Sequence, residues 1–420
     1  MQFKLIIAAI LAGCTTNVVA WGAAGHEIAA TIAQIHLHPS VLPTMCAILN
    51  FTSTNPNEPQ CHLAPVATWA DKLRYKMRWS APLHYIGALD DHPSQTCAFP
   101  GLRGWAGKQG GNVLGAIRNV TDILDNTVYQ RKTGRMSASQ YDVANEALKF
   151  LIHFMGDMHM PLHLTGRDRG GNSDKVLFSG RQTNLHSLWD GLLIAKAIRS
   201  VPRKYNRPLP SAKIEYALRG TIYDSYVRMI MVEGVLGKWS NELSDWLTCP
   251  APTPSRVFPV SSPSLFGAIW QHVLLVWDRV VGLAGAADTD DDLICPFHWA
   301  TPIHKLNCEI VWPAALDEPP YDRTRLDEAA QHDDHWHPIS HVDELKQMDY
   351  WGRFVGGPVG GPYLELDTPE YAGVISERWI IEKLLAQAGI RLAGVLNYLF
   401  ADIEDEEEAR QWSRGLRVDF

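Results

Sequence analysis

The chain has 420 residues, of which 46% are hydrophobic and 20% charged, and a formal net charge of −8. That balance excludes a disordered or fibrous chain and supplies the apolar residues of a large core. It also excludes a broad basic face for gripping duplex nucleic acid, so phosphate chemistry would need local positive charge such as metal ions.

Residues 1–20 read as a secretory signal: Lys4, the apolar run Leu5 to Ala12, then the small-residue site Val18-Val19-Ala20. Leu11-Ala12-Gly13-Cys14 offers a rival, lipoprotein-like cleavage before Cys14. Beyond it stand Cys46, Cys61, Cys97, Cys249, Cys295 and Cys308, an even set compatible with disulfides whose pairing stays open. Asn50-Phe51-Thr52 and Asn119-Val120-Thr121 are sequons for N-glycans, in keeping with a secreted protein.

Ile28, Ile32 and Ile35 share a helical stripe and predict an amphipathic helix over 24–37. A Pro/Asn-rich loop over 50–60 precedes a helical stretch, Ala64 to Met77, that carries Asp71 and Arg74. Helical patterning returns at 111–130, 139–159, 184–199 and 210–247. Between 164 and 183, Arg169-Gly170-Gly171-Asn172 and Lys175-Val176-Leu177-Phe178 predict a loop with one small hairpin. Pro and Ser mark 250–263 as a linker, and Leu265 to Ala287 is apolar. Gln271, His272, Asp278 and Arg279 inside that run favour an amphipathic helix over a membrane span. The stretch 313–368 is polar, acidic and Pro/Gly-rich and reads as an insertion; its His332, His335, His337 and His341 fit a solvated loop better than a fourth metal site. Helical patterning resumes from Val374 to Leu399, before an acidic tail over 401–420. No strand–helix alternation implies a parallel sheet, so the expected class is mainly α. The plan is a signal peptide (1–20), one multi-helix domain over 21–400 with insertions near 250–290 and 313–368, and the tail.

The densest chemistry lies between His153 and His163. His153 and Asp157 are four residues apart and project from one helix face. Pro161 stops the helix and lets His163 swing back. Two imidazoles and a carboxylate suit zinc, although a helix with satisfied core histidines is the plain alternative. Further ligands tip that choice: a second pair with the same spacing, His186 and Asp190, together with Asp71, His84 and His26. Cleavage after Ala20 would add the free amine of Trp21, a competent nitrogen ligand where a peptide nitrogen is not.

Trp21 with Gly25-His26, Trp69-Ala70-Asp71, His84-Tyr85-Ile86, His153-x3-Gly156-Asp157-x3-Pro161-Leu162-His163, Gly170-Gly171-Asn172 and His186-x2-Trp189-Asp190 together resemble one family. It is the zinc-dependent, single-strand-specific nucleases of fungi and plants, the S-one/P-one nuclease type, related in fold to bacterial zinc-dependent phospholipase C. The motifs cover about 21–250 and resume at Cys295-Pro296, Trp299-Ala300, Asn307-Cys308 and Gly389-x-Arg391-Leu392. The resemblance implies three zinc ions. Asp71, His84, His153 and Asp157 would hold the first; His163, His186 and Asp190 the second; Trp21, His26 and the bridging Asp157 the third. It implies catalysis around Asp71, Asp157 and Arg74, whose guanidinium forks onto phosphate oxygens. Tyr85 would stack a base and Asn172 of the Gly-Gly-Asn loop would meet substrate. His159 is expected to pack or support rather than ligate.

Implied too are single-stranded DNA, RNA and 3′-nucleotides as substrates, 5′-phosphate products, secretion, and a monomer without stable membrane association. Set beside the family, the expected disulfides are Cys46–Cys61, Cys97–Cys308 and Cys249–Cys295. The chain departs at Gly87, where an aspartate usually meets the base edge, with Asp90 and Asp91 further on, and at Met160, where glutamine is common. Rival readings are a phospholipase C-like phosphodiesterase, disfavoured by Asp190 where glutamate is usual, and a non-catalytic zinc-binding protein, disfavoured by the full ligand set.

Overall fold

The computed structural model describes residues 21–250, 290–291, 293–322 and 363–401. The signal segment, the helix expected over 265–287, His332, His335, His337 and His341 and nearly all of the acidic tail lie outside those residues.

Six helices organise the core: α1 (Ala23–Ile35), α2 (Val41–Leu49), α3 (Val113–Lys132), α4 (Ala138–Asp157), α5 (Pro296–Leu306) and α6 (Ile380–Phe400). α1 lies along α6, α3 lies along α4, and α4 touches both α1 and α6. Each apolar stripe thereby faces another helix, as the expected mainly α class requires. The isoleucine stripe of α1, Ile28, Ile32 and Ile35, is fully buried. α3 starts where Asn112 Oδ1 accepts the N–H groups of Leu114 and Gly115, satisfying donors that a helix start leaves unpaired. α4 starts where the Gln140 side chain reaches back to the Ser137 N–H at 2.7 Å. From Phe150 to Asp157 every residue of α4 is buried, polar ones included. Burying His153 and Asp157 in the core costs free energy unless their polar atoms find partners or a cation.

Some expected helices are broken. The 64–77 stretch is two short turns, Ala64–Ala67 and Trp69–Leu73. The 210–247 pattern divides into Ala212–Leu218, a continuous run from Asp224 to Lys238, and Leu243–Leu247; the first break falls at Gly220, whose φ is +81°. The carboxy-terminal pattern breaks at Trp379, which has φ +57°. These are local backbone reversals that a hydrophobic period does not register.

The expected hairpin is present. β1 (Lys175–Phe178) pairs antiparallel with β2 (Arg181–Asn184), with Val176 opposite Thr183. A third strand, β3 (Leu364–Glu365), joins β1 in parallel on its other side. At the ends of the stretch 313–368, Leu316 and Leu366 are buried, and β3 completes the sheet. Disulfides join Cys46 to Cys61, Cys97 to Cys308 and Cys249 to Cys295, matching the expected pairing. Among the described residues no helix is long and apolar enough to cross a membrane.

Candidate metal centre

The buried end of α4 presents His153 and Asp157 one turn apart. Gly156 between them makes room for α1: a Cβ at that position would lie 2.4 Å from His26 Nδ1. His26 consequently stacks on His153, with ring centroids 4.0 Å apart. Beyond α4 the chain reverses through Met160 and Pro161, and His163 comes back toward Asp157 as expected.

Three ligand-type histidines are aimed by backbone carbonyls. The Nδ1 of His153 lies 2.7 Å from Ala67 O, that of His163 2.8 Å from His84 O, and that of His186 2.7 Å from Gly170 O. Each bond commits Nδ1 as the donor and leaves Nε2 for a cation. The Gly-rich loop therefore orients His186. Asn172 in the same loop donates its Nδ2 to Arg169 O at 2.9 Å and stabilises the turn.

The ligand atoms gather into two regions. In one, those of His26, Asp71 and His153 lie within 4.8 Å of one another, as do those of His84, His153 and Asp157. In the other, His163, His186 and Asp190 meet the same limit, with His186 Nε2 3.0 Å from Asp190 Oδ2. Asp157 lies at the centre of the first region and reaches the second, its Oδ1 3.5 Å from His163 Nδ1. Its Oδ2 lies 2.9 Å from His84 Nδ1 and 3.2 Å from His153 Nε2, while Oδ1 lies 3.4 Å from His26 Nε2. Although His153 sits in two of the groupings, its Nδ1 is committed to the Ala67 carbonyl, so only Nε2 could serve a cation, and only one. A carboxylate with oxygens facing different histidines can bridge two.

The buried Asp71 Oδ2, His163 Nε2 and Asp190 Oδ1 have no hydrogen-bond partner within the described residues. Orphaned acceptors converging in a core are expensive unless a cation meets them. Nitrogen and carboxylate donors together suit zinc, so the donor set fits the metal. Burial works against a charge on His153, but Asp157 and then Asp71 outweigh it and push its pKa up to about 9. Burial likewise works against a charged Asp157, yet the attraction of His153 holds its carboxyl well below the usual range. Burial keeps His26 and His163 below the ordinary histidine value.

Trp21 is buried at the entrance to α1, 2% exposed, and the next residue's N–H, from Gly22, donates to Asp190 O at 2.5 Å. A chain starting at Trp21 would thus begin beside Asp190. Arg74 follows Asp71 by three residues and caps the end of its short helix with helical backbone angles. His159 points away: its Nδ1 is 2.6 Å from Met155 O and its Nε2 accepts from Arg391 Nη1 at 2.9 Å. Met160 Sδ accepts the Leu162 N–H at 3.1 Å, helping to hold the turn that carries His163.

Next to His84 opens a cavity of about 590 Å³ lined by Trp79, Leu83, Tyr85, Gly87, Lys108 and Asn112, among others. Gly87 is part of its wall, and a Cβ there would lie 2.4 Å from Gly166 N, so the backbone leaves no room for a side chain. Nor does Asp91 replace the absent aspartate, since its carboxylate already serves Thr165 Oγ1 at 2.5 Å, Ala98 N at 3.0 Å and His304 Nε2 at 3.0 Å.

Two supports escaped the sequence reading as parts of this site. Asn307, fully buried, donates Nδ2 to Pro161 O at 2.7 Å and so braces the turn before His163. Trp189, beside Asp190, donates to Tyr371 Oη at 2.8 Å, which donates to Val311 O at 2.7 Å. No local signal connects partners so far apart in the chain.

The profile of the S1/P1 nuclease family matches residues 21–251. The chain is 33% identical to Endonuclease 2 of Arabidopsis thaliana over 253 residues, 59% of this chain and 76% of the relative. It is 29% identical to Nuclease S1 of Aspergillus oryzae, covering 63% and 88%, and 37% identical to Nuclease P1 of Penicillium citrinum, covering 42% and 60%. With its helical fold and a clustered set of histidines and aspartates able to hold metal, the chain belongs to the S1/P1 nuclease family and is a nuclease.

Proposed function

We propose that this nuclease is a secreted endonuclease that cleaves single-stranded DNA and RNA at a three-zinc centre, leaving 5′-phosphate ends and also acting on 3′-nucleotides. The observation that carries the reading is Asp157, buried with Oδ2 facing His84 and His153 and Oδ1 facing His26. Asp71, His84, His153 and Asp157 would hold the first ion; His163, His186 and Asp190 the second; Trp21, His26 and Asp157 the third. Zinc bound there would supply Lewis acidity that acidifies water and neutralises phosphate charge. Arg74, three residues from Asp71, forks onto the non-bridging phosphate oxygens and stabilises their added charge in the transition state. Tyr85 at the cavity wall stacks the adjacent base, which a duplex keeps stacked within itself. Without an aspartate at position 87, no carboxylate there reads the base edge, which favours broad base tolerance.

Removal of residues 1–20 would free the Trp21 amine, already beside ligand residues. Edman sequencing of the mature protein is expected to start at Trp21; a start at Cys14 would remove the third site as assigned. Incubation with single-stranded DNA, duplex DNA and phosphatidylcholine, with and without chelator, is expected to show chelator-sensitive cleavage of the single strand. Cleavage of phosphatidylcholine alone would overturn the reading.

A further inference from the structure

Between the ligands Asp71 and His84 the chain runs Lys72-Leu73-Arg74-Tyr75-Lys76-Met77-Arg78-Trp79, with a basic residue at every second position from Lys72 to Arg78. This is a dense positive stretch in a chain of net charge −8. Lys72, Tyr75, Lys76, Arg78 and Trp79 are exposed, with Tyr75 at 60% and Trp79 at 59%. Other aromatics, Phe51 and Tyr129 among them, are as exposed, but these two stand among cations on the segment that joins two candidate ligands. Trp79 also lines the same cavity as Tyr85.

The Trp79 platform is rigid from below. Its ring meets Phe150 edge-on at 5.7 Å, Phe150 stacks on Phe154 at 5.0 Å, and Phe154 meets the ring of His84 at 5.2 Å. A side chain fixed in advance loses little entropy on binding. Exposed aromatic faces set among cations grip single-stranded nucleic acid, because every unpaired base has a face to stack and every nucleotide a phosphate to neutralise.

We propose that Lys72–Trp79 is a binding track for single-stranded nucleic acid outside the metal centre, with Tyr75 and Trp79 stacking unpaired bases and Lys76 and Arg78 meeting phosphates. The proposal builds on the single-strand reading above and extends it: strands longer than the scissile pair of nucleotides gain affinity from this segment. An anionic membrane would also attract the cations, but it gives no role to the Trp79 ring that lines the cavity with Tyr85.

The test uses the zinc-loaded protein and a fluorescent phosphorothioate thymidine strand of about twenty nucleotides, with binding read by anisotropy across a salt series. Tyr75→Ala is expected to weaken binding about tenfold. The Lys76→Gln/Arg78→Gln pair is expected to lower the salt-dependence slope by about 1.4, at roughly 0.7 per phosphate contact on a single strand. Affinity for a phosphorothioate dinucleotide should change less than about twofold in both variants, whereas a merely structural role would weaken the two ligands alike. Equal losses for both ligands, an unchanged slope, or phosphatidylserine vesicles displacing the strand as well as unlabelled strand does would overturn the track. Strand binding that follows the expected pattern, in a protein that leaves single strands uncut, would support the track and refute the single-strand endonuclease reading instead.

Discussion

Replacing Asp157 by asparagine is expected to remove two zinc ions rather than one. Asparagine keeps the shape but exchanges one carboxylate oxygen for an amide nitrogen, which cannot ligate. In the native site Oδ2 lies 2.9 Å and 3.2 Å from His84 and His153 nitrogens, and Oδ1 lies 3.4 Å from His26. Whichever way the amide turns, one histidine set loses its carboxylate and the other keeps only a weaker neutral oxygen. The charge is lost too: before metal binds, Asp157 is the larger of the two carboxylate attractions, ahead of Asp71, that outweigh burial and raise His153 from 6.5 to about 9, a net of about 3 kcal/mol. The remaining set, His163, His186 and Asp190, loses no ligand. After dialysis against trace zinc, mass-spectrometric metal analysis should find one ion per chain, and cleavage should fall by about a thousandfold or more. Far-ultraviolet circular dichroism should confirm a folded chain. A full metal complement in the folded variant would refute the bridge.

Metal-free protein should become less stable as pH rises from 6.5 to 9. The folded pKa of His153 is raised to about 9 from 6.5, so its attraction to Asp157 and Asp71 is fully present below 6.5 and fades as pH climbs through 9, a loss of about 3 kcal/mol. His26 and His163, lowered by burial, act only below that window. Chelator-treated denaturant melts that are flat or rise with pH would contradict this. Gly87→Asp should destabilise the fold by about 2 kcal/mol or more rather than add base selectivity, because Gly166 N occupies the space; a stable variant with a new base preference would show that the two strands of backbone part readily. Asn307→Ala should cost about 1–3 kcal/mol by leaving the buried Pro161 carbonyl unpaired, and should weaken the second zinc through His163 while sparing the others. Unchanged zinc affinity would restrict Asn307 to a packing role.

The sequence by itself determined which side chains share a face when they lie a turn or two apart, though not the local reversals at Gly220 and Trp379. His153 with Asp157, and His186 with Asp190, share a helix face by spacing, and Pro161 ends the helix by its chemistry. The isoleucine stripe marked the buried side of α1, and the short apolar run after the Gly-rich loop marked the hairpin. Ligand types pointed to a borderline-soft cation such as zinc, which nitrogen and carboxylate donors together suit. Tertiary structure decided what depends on closure over long distances in the chain. It put Asp157 Oδ2 beside His84 and His153 and Oδ1 beside His26, turned three imidazoles by hydrogen bonds to Ala67, His84 and Gly170 carbonyls, and pressed Gly87 against Gly166. It also brought Asn307 and Tyr371 behind the ligands and β3 beside β1. Periodicity records which face of a helix is apolar, but not which neighbour covers it or which atom a buried side chain meets. Those are set by the packing of the whole core, where burial makes each unmet polar atom costly.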